Sequence, residues 1–454
     1  MLKHYCMILS IIMIKTVKFI DLFAGMGGTR IAFENAFRSR GFNTECVLTS
    51  EIKPHAIDAL QENFKQENLQ GDIRQIDAKN IPDFDFLLGG FPCQAFSFAG
   101  KGLGFLETRG TLFFEIERIL SEKKPFGFIL ENVEGLLLHD REKLSDKIGR
   151  TLAVILESLR KLGYKTNYRL LDSKNFGVAQ SRKRIYIVGT LSDYVDLDNF
   201  PIKKSIFKDI AESGKPVINS HFTKCLLNKF SVDELYGKSI KDKRGGANNI
   251  HSWTIGLRGT VSKKQTLLIE KLFKERRKHH WAEEIGIKWM DGMPLTSEQI
   301  STFFRDENLK QMLDDLVQKK YLVFEHPKKV VVESINGKPH ETRVEDTTKP
   351  LGYNIVAGKL SFEFTKIIDP NSIAPTLVAM DVSKLGVIDG NGIRKLTLRE
   401  GLRLFGYPET YKLSMFENSN KGLRDAFDLL GNTVVIPVVE AVALRLADVY
   451  QKHI

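Results

Sequence analysis

Apolar and polar positions follow two different patterns along the chain, and the change falls near residue 200. Before it, short apolar runs of strand length recur at residues 17–22, 45–51, 84–89, 126–131, 168–171 and 184–189. Helical stretches lie between several of these runs, for example over residues 55–64 and 148–162. Strands that alternate with helices predict a parallel, doubly wound sheet. We therefore expect an α/β domain over residues 17–200.

The strand–helix alternation fades after residue 200. Helices are predicted over residues 264–280 and 309–317, and a third opens at the capping-box sequence Thr296–Gln299. A strand follows at residues 321–325. Three short helices and a strand indicate either a winged-helix-like unit or an ordinary helical insertion, and the pattern does not separate the two.

The bulk composition is that of a globular protein with an uneven charge. A chain of 454 residues predicts two domains, or one domain with a large insertion. The formal net charge is +11, and residues 201–350 hold 28 Lys and Arg against 20 Asp and Glu, an excess of 8. This excess favours a polyanionic partner, although a solvated basic surface would show it too.

The cysteines and the N-terminus indicate a cytoplasmic protein without a membrane partner. Cys6, Cys46, Cys93 and Cys225 form no CxxC pair, which argues against a metal site or a disulfide framework. The apolar start is too short to span a bilayer, and cleavage of a signal peptide there would fall against the first strand. We expect residues 1–16 to be an extension, with Met13 as an alternative translation start.

Two short motifs hold the candidate chemistry. Pro92-Cys93-Gln94 follows one predicted strand, and Glu131-Asn132-Val133 ends another, 38 residues after the cysteine. The carboxyl ends of strands form the edge at which open α/β sheets bind ligands. A thiolate is a strong nucleophile that needs a lowered pKa or a proton-handling partner, and Glu131 could be that partner. The alternatives are a buried apolar cysteine and a structural acid.

A glycine-rich turn follows the first strand. Gly25-Met26-Gly27-Gly28 lets the backbone approach a ligand, and a helix N-terminus comes next. The turn alone suits NAD equally well. Phe23 within the turn and Glu51 at the end of the second strand favour S-adenosylmethionine, since an acid at that place binds ribose hydroxyls.

Five blocks in one order resemble the C5-cytosine DNA methyltransferases. They are residues 19–28, Pro92-Cys93-Gln94, Glu131-Asn132-Val133, Gln180-Ser-Arg182-Lys-Arg184 and Leu430-Gly-Asn-Thr433. The resemblance covers about residues 17–200 and 365–450. It implies a Rossmann-like S-adenosylmethionine-dependent domain over residues 17–200, completed by 425–454. Residues 201–424 would be a large, mixed α+β target-recognition insertion.

The resemblance also implies the roles of individual residues. Cys93 would be the nucleophile and Glu131 its acid partner, with Arg184 in the active site and Asn132, Arg182 and Gln180 in support. Ile73 is equally compatible with a core position, and Ile52 and Thr433 stand where relatives often have other residues. The implied cofactor-binding residues are Phe23, Ala24, Gly25, Gly27, Gly28, Glu51, Ile52, Asp72, Ile73, Pro92, Asn432 and Thr433.

Sequence recognition is expected in the insertion. Residues 251–259 include Trp253 and Arg258, which suit a groove-contacting loop, although a buried tryptophan is equally compatible. Arg276, Arg277 and Lys278 would contact phosphates.

The function so implied is methylation of C5 of a flipped-out cytosine in double-stranded DNA, through a Cys93 adduct. The protein would be a monomer that protects host DNA from a separate restriction endonuclease. The alternatives are an RNA cytosine methyltransferase and a DNA-binding protein without catalysis. A nicotinamide dehydrogenase would explain only the first strand–helix–strand unit.

Overall fold

The described chain divides into two compact units. A computed structural model describes residues 15–64, 68–91, 112–242, 246, 248–335, 338–356, 362–378, 382–417 and 419–454. Unit 1 takes in Met1–Glu212, Pro370–Ser383 and Leu396–Ile454, and unit 2 takes in Ser213–Asp369 and Lys384–Lys395.

A seven-stranded sheet forms the centre of unit 1. Its spatial order is β3-β2-β1-β4-β5-β7-β6, and the first five strands are parallel. β7 runs antiparallel between β5 and β6. The strands are β1 (Thr16–Leu22), β2 (Asn43–Ser50), β3 (Leu69–Gln70), β4 (Phe86–Gly89), β5 (Gly127–Val133), β6 (Lys165–Asp172) and β7 (Lys183–Thr190), and the helices between them are α1 (Gly28–Ser39), α2 (Pro54–Asn63), α3 (Leu112–Lys123) and α4 (Arg150–Lys161). The doubly wound α/β fold is thereby confirmed. β2 and β3 lie on one side of β1, and β4 and β5 lie on the other, so the strand order reverses between β1 and β4. Sheets of this kind bind ligands at such a point.

The central strands are apolar on both sides because helices cover both faces of the sheet. In β4, Leu87 belongs to the core that contains Ile116 of α3 and Ile155 of α4. Its neighbour Phe86 points the other way, toward Phe37 of α1 at a ring distance of 5.0 Å. Successive side chains of a strand alternate between its faces, so one continuous apolar run serves both cores.

Unit 2 is a mixed α+β structure, as expected for the insertion. Its elements are α5 (His221–Lys229), α6 (Val232–Leu235), β8 (Ser239–Ile240), β9 (Asn249–Ile250), α7 (Lys263–Glu275), α8 (His279–Ile285), α9 (Ser297–Ser301), α10 (Leu309–Gln318), β10 (Leu322–Glu325), β11 (Lys328–Ile335), β12 (Lys338–Glu345), β13 (Gly352–Ile355), β14 (Lys366–Ile367), β15 (Leu385–Asp389) and β16 (Gly392–Lys395). A five-stranded sheet has the order β16-β15-β14-β8-β9, and β10 pairs with β13 and β11 with β12. The single helix predicted over residues 264–280 is two helices. The break falls where Arg276 turns inward to donate to Asn354 Oδ1, at 2.6 Å.

The C-terminal part of the chain returns to unit 1 as α11 (Leu398–Leu404), α12 (Asn420–Asn432) and α13 (Ile436–His453). Residues 370–383 already belong to unit 1, and its last segment begins at Leu396, before the expected boundary at residue 425. Residues between these two points are held in unit 1 by contacts such as the one from Tyr411 Oη to the Met26 carbonyl oxygen, at 2.7 Å. Local sequence patterns do not reveal such a contact across 385 positions.

The final helices are apolar because they lie in the core of unit 1. The stretch Lys421–His453 is long and apolar enough to cross a membrane by length and composition, but 67% of its most apolar window is buried inside the protein. It consists of two helices, α12 and α13. Tyr450 of α13 packs its ring 5.1 Å from that of Phe86 and 4.9 Å from that of Phe126. The apolar face is therefore explained by packing within the protein.

Candidate active site

Glu131 and Arg184 form an ion pair at the end of the sheet. β5 and β7 are adjacent antiparallel strands, with Val133 opposite Arg184. Arg184 Nε lies 3.0 Å from Glu131 Oε1, and both side chains are largely buried. Burial raises the pKa of Glu131, and the charge of Arg184 opposes this shift only in part. The carboxyl therefore holds a proton more tightly than a solvated glutamate does.

Asn132 connects the end of β5 to the chain that precedes the cysteine motif. Its buried Nδ2 donates to the carbonyl oxygen of Phe91, at 2.9 Å, and its Oδ1 accepts from the Val133 amide, at 2.8 Å. A Cβ atom on Gly90 would lie 3.6 Å from Glu131 Oε2. The backbone that leads into the motif thus passes beside the Glu131 carboxyl. Pro92 and Cys93 themselves lie outside the described residues.

Gln180 and Arg182 are buried and bound to backbone groups of distant segments. Arg182 Nη1 donates to the Leu377 carbonyl oxygen at 2.8 Å, and Nη2 donates to that of Gly431 at 3.0 Å. Gln180 Nε2 donates to the Leu404 carbonyl oxygen at 3.1 Å, and its Oε1 accepts from the Leu377 amide at 3.1 Å. Burial lowers the pKa of Arg182 to about 10. These contacts favour the supporting role expected for both residues.

The glycine turn is held open by Glu51 at the end of β2. The Gly25 amide donates to Glu51 Oε2 at 2.8 Å, and Oε1 accepts from the Ile52 and Lys53 amides. Phe23 adopts a φ of 57°, which is rare for a residue with a side chain and is often found at functional sites. Gly27 has a φ of 71°, and a Cβ there would meet the Phe64 ring at 2.5 Å. Only glycine suits that position.

The next residues on this edge differ in exposure. Ile52 is 62% exposed, so a large apolar side chain lies beside the Glu51 carboxylate. Asp72 accepts hydrogen bonds from the Arg74 amide and from Arg74 Nε, which lower the pKa of its carboxyl. Ile73 is only 2% exposed and belongs to the apolar core, so its side chain fits the structural alternative.

The C-terminal block lies behind the glycine turn. The Thr433 hydroxyl is 2.6 Å from Tyr407 Oη, and a Cβ on Gly28 would lie 2.7 Å from that same oxygen. Asn432 is exposed, and its Nδ2 donates to the backbone oxygen of Asp428 at 2.8 Å and to Oδ1 at 3.1 Å. Residues from the two ends of the chain therefore meet at the turn. Ala24 is buried within it.

Three residues of this region were not anticipated from the sequence. Asp428 Oδ2 lies 3.0 Å from His55 Nε2 and 3.2 Å from Lys53 Nζ, at the start of α2. Tyr407 and Tyr411 support the glycine turn from behind. Neither Asp428 nor Tyr411 stands in a recognisable motif, and Pro54 is a local signal that a helix begins at this point.

The expected DNA contacts in unit 2 are partly wrong. Trp253 and Arg276 are each 2% exposed, so their side chains cannot contact a groove or a phosphate. Trp253 packs in an apolar core, and Arg276 binds Asn354. The other three candidates are engaged within unit 2: Arg258 Nη1 donates to the Lys320 carbonyl oxygen, Arg277 pairs with Asp291, and Lys278 pairs with Glu275.

Comparison with known proteins agrees with the fold and the motifs. The family model of C-5 cytosine-specific DNA methylases matches residues 17–448. The Type II methyltransferase M.NlaIV of Neisseria lactamica is 55% identical over 430 residues, which cover 95% of this chain and 98% of the relative. The Type II methyltransferase M.BanI of Aneurinibacillus aneurinilyticus is 40% identical, with 96% of each chain covered. A solved methyltransferase structure from Entamoeba histolytica shares the fold, with a TM-score of 0.51 at 15% identity over 96% of this chain and 99% of that one.

A family model that spans nearly the whole chain decides the class. The chain belongs to the C-5 cytosine-specific DNA methylases, and the protein is a DNA (cytosine-5-)-methyltransferase. The resemblance noted in its motifs is thereby confirmed.

Proposed function

We propose that this protein methylates C5 of one cytosine within a specific sequence of double-stranded DNA, with S-adenosylmethionine as methyl donor. The observation that supports this best is the Glu131–Arg184 pair beside the backbone at Gly90 and Phe91. Cys93 follows Phe91 by two positions, and two residues of chain span at most about 7 Å. A nucleophile and a proton-holding carboxyl are therefore within reach of one substrate ring.

The chemistry requires both groups. Cytosine C5 is a weak nucleophile until the Cys93 thiolate adds to C6, which makes C5 an enamine carbon. Glu131 in its protonated form would donate to N3 as this addition builds negative charge on the ring. After C5 has taken the methyl group, loss of its proton and elimination of the thiolate restore the C5–C6 double bond. Arg184 would keep Glu131 in place and balance charge beside the base.

The target carbon of a paired cytosine is enclosed in the base stack. We therefore infer that the base is flipped out of the duplex into this site. The glycines at positions 100 and 102 and the stretch to Gly110 suit a loop that closes over the base, and these residues lie outside the described part of the chain.

The residues around the glycine turn suit S-adenosylmethionine. When bound, this molecule supplies a methyl group on a positively charged sulfur. Glu51 offers a carboxylate for the ribose hydroxyls, and Phe23 and the exposed Ile52 offer apolar surface for the adenine. Asn432 and Thr433 would close the pocket from the C-terminal block. Asp72 would hold the adenine edge, with its carboxylate accepting hydrogen bonds from both Arg74 and the adenine.

The biological role follows from the relatives. The two named above are Type II methyltransferases, and each is covered over nearly its full length. We infer that this protein is the modification enzyme of a restriction–modification system. It would act in the cytoplasm as a monomer and protect host DNA from a separate endonuclease.

The test combines duplex DNA of varied sequence, tritiated S-adenosylmethionine and sequencing of the methylated positions. We expect label on C5 of cytosines in one motif, and no label with Cys93→Ser, which should still bind DNA and methyl donor. Label in RNA alone would favour an RNA methyltransferase. Near-normal turnover by Cys93→Ser would disprove the covalent mechanism.

A further inference from the structure

Residues 253–355 of unit 2 contain an apolar core of their own. It joins residues from α7, α8, α9, α10, β10 and β13 and is distinct from the core that lies against the five-stranded sheet. Among its most buried members are Leu268, Leu295, Leu313, Leu322 and Ile355. A stretch with its own core is a structural module rather than a set of loops.

A small antiparallel sheet lies in this module. β10 and β13 pair from Leu322 opposite Ile355 to Glu325 opposite Gly352. On the other side of β13, Leu295 and Tyr353 exchange two backbone hydrogen bonds, of 3.1 and 2.7 Å. Leu295 is thus a strand one residue long, and the sheet has the order β10, β13, Leu295.

The order of elements along the chain is characteristic. It runs α7, Leu295, α9, α10, β10, the β11–β12 ribbon and β13, with α8 as an additional helix before Leu295. Three helices packed on a three-stranded sheet, with a ribbon between its last two strands, are the topology of a winged helix. In that arrangement α9 and α10 are the helix-turn-helix pair, and the ribbon is the wing.

We propose that α10 and the β11–β12 ribbon form the surface by which unit 2 recognises duplex DNA, with α10 in the major groove. The inference rests on the proposed function, because it assigns the recognition step of that reaction to particular elements. The second helix of a helix-turn-helix lies in the major groove, with its N-terminal residues at the base edges. Duplex DNA, the substrate of the proposed function, has a major groove that admits a helix.

The exposure of α10 agrees with this role. Leu309, Leu313 and Leu316 are buried in the core, whereas Lys310 and Gln311 in the first turns are exposed. An amide and an ammonium group are side chains that bind the edges of adenine and guanine. Asp314 is exposed as well, but it accepts a hydrogen bond from Tyr353 Oη at 2.7 Å, so we assign base contacts to the two earlier residues.

The ribbon also suits a nucleic-acid partner. β11 and β12 pair with each other over eight positions, and among the described strands neither pairs with another. Val332 is 60% and Val344 39% exposed. Because a two-stranded ribbon is only marginally stable in water, these apolar side chains would be stabilised by a bound partner. The described side chains of the ribbon include the cations Lys328, Lys329 and Arg343 and the acids Glu341 and Glu345. Lys329 pairs with Asp346 and Glu341 with Lys288, which leaves Lys328 and Arg343 as cations for a DNA backbone. The surface of the ribbon would be covered and partly neutralised against a DNA backbone.

The experiment selects bound sequences from a randomised duplex pool with the full-length protein and with single variants. Gln311→Ala and Lys310→Ala should each weaken binding about tenfold and relax the preference at one base position. Arg343→Ala should weaken binding to all sequences alike and lower the salt slope by about 1. Lys274→Ala removes an exposed cation from α7 of the same module and should change neither property.

Two further measurements separate the possible failures. Unchanged Tm and S-adenosylmethionine binding of each variant exclude a folding defect. If the wild type methylates one motif and the α10 and ribbon variants select that motif with unchanged affinity, the inference is wrong and the proposed function stands. A wild type that neither selects nor methylates duplex DNA overturns both. If only Lys274→Ala abolished the preference for the motif, recognition would be assigned to α7 instead.

Discussion

The surroundings of the Glu131 carboxyl favour its protonated form over its ionised form. Burial disfavours the charged form, and the Arg184 guanidinium at 3.0 Å only partly offsets this. The proton that Glu131 would donate to cytosine N3 in the proposed mechanism is therefore held at a higher pH than an exposed glutamate would hold it. Neighbouring Asn132 uses its whole side chain to fix the backbone at Phe91 and Val133, and so keeps this carboxyl beside the chain that leads to Cys93.

The pH dependence of methylation should follow from the raised pKa of Glu131. The protonated fraction falls as the pH rises through that pKa, so kcat should decline on the alkaline side. Glu131→Gln keeps a hydrogen-bond donor but cannot titrate, so this decline should vanish while the rate falls about 100-fold or more. Single-turnover rates from pH 5 to 9 check it. A variant with the wild-type alkaline limb would assign the titration to another group.

Asp428 acts on the proposed methyl-donor pocket through the residues it holds. Its backbone oxygen and Oδ1 both accept from Asn432 Nδ2, and its Oδ2 contacts His55 and Lys53, so Asp428 fixes the Asn432 side chain. These contacts lower the pKa of Asp428 although burial alone would raise it. The carboxylate therefore stays charged at neutral pH.

We expect Asp428→Ala to raise KM for S-adenosylmethionine about tenfold with little change in kcat. If Asp428 works through Asn432, the double variant with Asn432→Ala should bind no more weakly than the worse single variant. Calorimetric binding of the methyl donor gives a second readout. Asp425→Ala on the same helix removes an equal charge and should have no effect. Additive losses in the double variant would contradict the coupling.

At the scale of elements, the sequence predicted what depends on local pattern. The strands 17–22 and 184–189 were expected from apolar runs, and they are found as Thr16–Leu22 and Lys183–Thr190. The Thr296 cap was expected from its spacing and is present, with Thr296 Oγ1 accepting from the Gln299 amide. The acid and arginine of the active site were likewise found in motifs, and the structure brings them within 3.0 Å.

Elements that depend on distant contacts were not predictable in this way. Trp253 was equally compatible with a groove contact and with a core position, and it lies in the core. Arg276 was expected at the surface because it stands in a run of basic residues, yet it is buried. Arg276 is tolerated there because Asn354, 78 positions away, accepts its hydrogen bond. The one-residue strand at Leu295 exists only through Tyr353. No local periodicity encodes such pairs.

Arg182 connects the start of β7 to two segments near the C-terminus, so its removal should loosen the packing of whole elements. Arg182→Met would leave the buried carbonyl oxygens of Leu377 and Gly431 without a donor, at a cost of about 2–5 kcal/mol. Urea unfolding should show this decrease. Lys183→Met removes the exposed cation next to it and should cost less than about 0.5 kcal/mol. Equal losses of stability in the two variants would mean that the positive charge, and not the two hydrogen bonds of Arg182, stabilises the fold.

At the scale of the whole molecule, charge and chemistry are placed in different parts of the chain. Residues 201–350 hold an excess of 8 positive charges out of a net +11, whereas the glycine turn and its acid Glu51 lie in unit 1. Binding of a polyanion releases counterions, but binding of a small methyl donor to a carboxylate-lined pocket releases few. The two binding events should therefore respond differently to salt.

We expect a rise from 50 to 200 mM NaCl to weaken duplex binding at least about 100-fold, the loss for roughly four released counterions. The affinity for S-adenosylmethionine should change less than about twofold, because no run of phosphates is displaced. Fluorescence anisotropy with a labelled duplex and calorimetry with the methyl donor measure the two in one buffer series. Parallel salt slopes would mean that the basic excess serves solubility, since then the cations of residues 201–350 would make no phosphate contacts that salt could displace.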